Sequence, residues 1–89
     1  MVEQPESDNY QILLGKWIRI TGVVSYKNYG SASNTRYVSL YSASEITFFF
    51  DDLKQFQKIE EEQTVSLIGQ FTGRSFIYGF TFEQAYLDQ

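Results

Sequence analysis

Neither cysteine nor histidine occurs in the 89 residues. Disulfides, thiol nucleophiles and zinc-thiolate sites are thereby excluded, and the usual general base and commonest metal ligand are missing as well. Most enzyme mechanisms fall with them, so the expectation is a non-enzymatic chain with no cofactor and no metal. No run approaches the ~20 apolar residues of a membrane-spanning helix. The first nine residues are polar and acidic, unlike a signal peptide. If the chain is complete, the cytoplasm is the expected compartment.

What the sequence has in quantity is aromatic side chains: eight Phe, seven Tyr and one Trp, within a hydrophobic content of 43%. A chain this short makes one domain, and it hides only about 60–70% of the surface its unfolded form exposes. Its stability must come from a tightly used core, which large aromatic and branched residues supply. The net charge of -4 is unevenly spread. Residues 1–8 carry three acids (Glu3, Glu6, Asp8) and no cation, whereas residues 9–44 carry Lys16, Arg19, Lys27 and Arg36 and no acid. Residues 45–62 reverse the sign again, with Glu45, Asp51, Asp52 and Glu60, Glu61, Glu62 against Lys54 and Lys58. An acidic whole argues against indiscriminate DNA coating, but a local positive face can still meet phosphate or an acidic partner.

Residues 1–9 read as a disordered lead and 10–89 as the folded domain. Asp8 or Asn9 can cap one helical turn through Tyr10, Ile12, Leu13 and Leu14, closed by Gly15 and placed to plug a barrel end. Residues 16–26 alternate as a long strand, with Ile18 and Ile20, then Val23 or Val24, on one side and Trp17, Arg19 and Thr21 on the other. Gly22 within it points to a bulge that shifts the alternation by one and lets the strand serve two sheets. Residues 27–36 read as a loop. Residues 37–41 and 46–50 form a hairpin, with Val38 and Leu40 inward and Tyr37, Ser39 and Tyr41 outward. Asp51 or Asp52 caps a short helix presenting Leu53, Phe56 and Ile59. A fourth strand spans 63–72 with a bend at Gly69, a turn follows at 73–75, and a fifth strand spans 76–87.

Strand, strand, strand, short helix, strand, strand is the order of the OB fold, a five-stranded all-β barrel. The runs GKWIRITGVV, YVSLY, ITFFFDDLKQFQKIEEEQTVSLIGQFTG and FTFEQAYL resemble the bacterial tRNA_anti-like family of OB domains over roughly residues 12–88. That family shows a similar GKxVxVxGxV opening, an acid-capped short helix and a VxxxGxxxG fourth strand. The resemblance implies the fold and brings no catalytic set with it. The ten-residue segment between strands 1 and 2 and the aromatic fifth strand depart from the family pattern.

OB barrels take ligands on the face of strands 2 and 3, bordered by the loops joining strands 1 to 2 and 4 to 5. Projected onto that geometry, Trp17, Arg19, Lys27, Tyr29, Arg36, Tyr37, Tyr41, Arg74 and Phe76 are expected to converge. Aromatics mixed with cations suit single-stranded DNA or RNA, whose bases stack on rings while Lys and Arg neutralise the backbone. Aromatics also suit pleated, half-buried surfaces with no ligand at all. A third account gives the same face to a protein partner or a larger assembly, since Tyr, Trp and Arg concentrate interface energy and a partly open barrel leaves edge strands free to pair. The acids at 51–52 and 60–62 lack a calcium-loop pattern and are explained by a helix cap and a solvated turn. Asp51 and Asp52, being adjacent, point apart too much to form a catalytic pair.

Overall fold

The computed structural model describes residues 8–30, 35–42 and 44–88. The expectations for residues 1–7, for 31–34 in the middle of the expected loop and for the turn residue Ala43 lie outside these. Asp8–Leu13 form a 3-10 helix, and Gly15 reverses the chain with a φ of 82°. This helix does not plug the barrel. Ile12, Leu13 and Leu14 are exposed, and Leu14 comes within 3.6 Å of where a Cβ on Gly73 in the fourth strand would stand.

Strand β1 (Trp17–Gly30) follows, then β2 (Thr35–Leu40), β3 (Ile46–Phe49), helix α1 (Leu53–Gln57), β4 (Thr64–Ser75) and β5 (Gly79–Leu87). The five strands close a barrel in the order β1-β2-β3-β5-β4. The pairings are antiparallel except β3 with β5, which is parallel. This is the OB-type barrel expected, with its short helix between β3 and β4. The closed ring removes the open-barrel expectation of unpaired edge strands.

Strand β1 serves both halves of the barrel, as its length implied. Trp17 to Val23 pair with β4, and Val24 to Gly30 pair with β2. The irregularity falls between Val24 and Tyr26 rather than at Gly22, which pairs regularly with Val65. Ser25 is the extra residue there, so Val24 points into the core and Tyr26, two positions on, points out. The loop reading of 27–36 is corrected accordingly: Lys27 to Gly30 and Thr35 to Arg36 are paired strand. Lys, Asn and Gly are poor strand formers, but the ladder with β2 overrides that preference.

A second bulge reconciles an odd spacing in β5. Gln70 pairs with Glu83 and Ile68 with Tyr86, so Gln84 and Ala85 together oppose Gly69, and Gln84 adopts a φ of 54°. The extra residue lets Phe82 and Ala85, three apart, both face inward, where each is buried. Strand β4 runs on to Ser75, so the turn expected at 73–75 sits instead at 76–78. The core joins Val24, Val38, Leu40, Phe48, Val65, Leu67, Phe71 and Phe82 from the strands with Phe50 just after β3. Phe56 and Ile59 seal the end beneath them from α1 and the residues after it, whereas Leu53 stays exposed. Asp52 supplies the helix cap, accepting from the Lys54 amide at 2.9 Å.

Candidate nucleic-acid interface

Outside the β1-β2-β3 sheet, the alternation places Tyr26 and Asn28, Tyr37 and Ser39, and Thr47 and Phe49 on one face. The pairs Asn28 with Tyr37, Tyr26 with Ser39, Tyr37 with Phe49 and Ser39 with Thr47 fix this arrangement. The turn at 76–78 folds onto it from the side and adds Tyr78. Tyr37 is the hub of four rings: its centroid lies 6.0 Å from Tyr26, 5.7 Å from Phe49 and 5.2 Å from Tyr78. Tyr78 and Phe49 meet edge to face at 5.3 Å. Edge-to-face and tilted contacts of this kind are the favoured arrangements of aromatic pairs. Tyr26, half exposed, and Tyr37, Phe49 and Tyr78, partly exposed, leave ring surface open to solvent.

Burial raises the Tyr37 phenol above its ordinary value, reinforced by Tyr26 and Tyr78 beside it, while a hydrogen bond with Asn28 acts the other way. Ser39, expected outside on pattern alone, and Thr47 beside it are buried, Thr47 bonding to the Tyr78 carbonyl in the 76–78 turn and Ser39 meeting the Thr47 hydroxyl.

Of the nine expected site residues, this face holds Tyr37. Lys27, Tyr29 and Arg36 lie together, but beside α1. The Ser25 bulge turns Lys27 and Tyr29 to the barrel's inner register, where Lys27 Nζ donates to the Ile59 carbonyl and sits 4.7 Å from the centre of the Phe56 ring. Tyr29 packs against Phe56 at 6.4 Å, and Arg36 stacks over Tyr29 while donating to the Asp51 carbonyl at 2.8 Å. Trp17 and Arg19 belong to the β1-β4-β5 face. Trp17 packs with Tyr86 at 6.4 Å, and Arg19 bridges to Asp88 at 2.9 Å. Tyr41 donates its hydroxyl to Glu62 at 2.6 Å, which raises its own phenol above the ordinary value. Arg74 lies over the Phe80 ring at 5.5 Å, and Phe76 stands fully exposed at the tip of the turn.

Sequence reasoning missed Tyr26, Phe49 and Tyr78. The signal for Phe49 was present, since it shares the outward parity of Thr47 in ITFFF once Phe48 is taken as core. Tyr26 needed the bulge to be placed correctly, and Tyr78 needed the turn. Among the described residues no group of three Asp or Glu side chains could hold a metal ion, and no helix is long and apolar enough to cross a membrane.

The fold and this face define an OB-type barrel with an aromatic outer sheet. Among solved structures, the chain is similar to a proposed nucleic acid-binding lipoprotein from Klebsiella pneumoniae subsp. pneumoniae. The TM-score is 0.74 at 16% identity, over 89% of this chain and 75% of that one. Identity that low establishes a shared fold. No protein-family model and no curated protein matches the chain, so the likeness to tRNA_anti-like domains stands on the quoted pattern alone.

Proposed function

We propose that this chain is a non-enzymatic binding module for single-stranded nucleic acid, with bases stacking on the ring face built by Tyr26, Tyr37, Phe49 and Tyr78. The observation that carries this reading is the convergence of four rings within 5.2–6.0 Å on the β1-β2-β3 face. OB barrels use that region for oligonucleotides, and stacking is tolerant of sequence because every base has a π face. The fold shared with the Klebsiella protein, itself a proposed nucleic acid binder, supports the same reading.

Lys27 and Arg36 are turned toward α1, so stacking rather than phosphate neutralisation supplies most of the affinity. The test is anisotropy of a labelled mixed-sequence oligonucleotide across salt concentrations. One or two phosphate contacts give a log-log slope of about -1, at ~0.7 per contact on a single strand. Absence of saturable binding at low salt would refute the proposal.

The same turning away of the cations favours a second reading, in which the ring face buries against a protein partner. Such an interface is almost insensitive to salt and needs no oligonucleotide. Chemical-shift mapping with the oligonucleotide absent and present separates the two readings.

A further inference from the structure

Beneath the ring face runs a short chain of hydroxyls. Thr47 is fully buried, and its Oγ1 donates to the Tyr78 carbonyl at 2.8 Å. Its single proton being committed there, the 3.3 Å contact between Ser39 Oγ and Thr47 Oγ1 has Ser39 as the donor. On the other side of the turn, Ser75 Oγ accepts from the amides of both Ile77 and Tyr78, at 3.0 and 3.2 Å. Gly79 then leaves the turn with a φ of 73°, its backbone so close to Glu45 that an added Cβ would come within 2.6 Å of the Glu45 Cβ. The turn carrying Tyr78 is thus anchored at three points, although Phe76 and Ile77 at its tip are exposed.

We infer that Thr47, which the ligand never reaches, is the positioning residue of the ring face: its hydroxyl sets the 76–78 turn so that Tyr78 closes against Tyr37 and Phe49. A turn held in the binding geometry before the ligand arrives spares the cost of ordering it on binding. The inference rests on the ring face being the binding site, but its structural half can be read without any ligand. Thr47 differs from the rings themselves in acting only through Tyr78, and in doing so by its hydroxyl rather than by its bulk.

The experiment compares wild type, Thr47→Val and Thr47→Ser by amide hydrogen exchange and by proton contacts between the Tyr78 and Tyr37 rings. Valine keeps the volume and removes the donor. In Thr47→Val, exchange at the Ile77 and Tyr78 amides should speed up and the Tyr78–Tyr37 ring contacts weaken, with serine restoring both. Oligonucleotide affinity should fall about three- to tenfold in the valine variant, the scale of one or two side chains ordered on binding. Unchanged exchange and ring contacts in Thr47→Val overturn the inference, whatever the affinity does. If Thr47→Val does not fold, Ser75→Ala loosens the turn from its exposed side. The inference then requires the Tyr78–Tyr37 ring contacts to persist with Thr47 alone holding the turn, and their loss overturns it. If wild type binds no oligonucleotide, the proposed function fails while exchange and ring contacts still decide what Thr47 does.

Discussion

The rings of Phe48 and Phe82 lie face to face across the parallel β3-β5 pairing, 4.5 Å between centroids and 12° from parallel. Gly69 on β4 is what admits them. A Cβ there would come within 2.9 Å of the Phe82 Cβ and 3.1 Å of the Phe48 ring. Replacing Gly69 by alanine should therefore destabilise the barrel by about 1–3 kcal/mol through overpacking, despite alanine's lower backbone entropy cost. Urea unfolding of Gly69→Ala against wild type checks this, and an unchanged midpoint would contradict the packing described.

Two aromatic substitutions should separate the faces. Tyr26→Ala removes the most exposed ring of the proposed site and should weaken oligonucleotide binding about tenfold, within the ~1–3 kcal/mol of one stacked base. Trp17→Ala should leave affinity within about twofold, because nine residues of strand put Trp17 roughly 30 Å along β1 from Tyr26. Equal losses in the two variants would place the site elsewhere.

Alkaline titration offers a probe of the Tyr37 hub. Its phenol is raised in the folded state, chiefly by burial, so the folded protein holds that proton more tightly than the unfolded chain does. The stabilisation is fully present below the ordinary value of 10.0 and is lost as pH rises from there through the raised folded value. Tyrosinate absorbance should show late-ionising phenols, of which Tyr37→Phe removes one while Tyr41, raised by its hydrogen bond to Glu62, remains. The same substitution should flatten the fall in stability above that pH.

Reversing both cations beside α1, Lys27→Glu with Arg36→Glu, should lower stability by about 2–4 kcal/mol. Each side chain donates a charged hydrogen bond to a backbone carbonyl, Ile59 for one and Asp51 for the other. Such a variant loses ligand affinity for structural reasons, which makes it a poor probe of phosphate contact. Thermal unfolding of the double variant against each single one measures the effect.

Much of the barrel was legible because strand alternation is a local signal. Trp17, Arg19 and Thr21 stand outside as read, Val38 and Leu40 inside, and Asp52 caps the helix. What escaped depended on partners distant in sequence. The shift at Val24–Tyr26 is set by which residue of β2 each pairs with, and GVVS offers several places for it. Lys27, Asn28 and Gly30 look like loop, and only their pairing with residues 35–38 makes them strand. Ser39 is buried beside Thr47, whose own hydroxyl is held by a turn some thirty residues further on, so the local pattern of β2 did not show it. Once Tyr26 moves to the outer face and Lys27 to the inner one, the expected mixture of rings and cations separates into two groups.

The barrel closes through the shortest of its ladders, three parallel pairs joining Ile46, Thr47 and Phe48 to Phe80, Thr81 and Phe82. These residues lie on opposite sides of α1 and β4 in the chain, 34 positions apart in each pair. Contacts that close large loops come late in folding and slow it. A ladder of three pairs is also where a native barrel parts most easily. Parting here would bare the stacked faces of Phe48 and Phe82 and, one residue along, release Thr47 from Tyr78. The order of the ring face is therefore tied to the same short ladder that completes the fold.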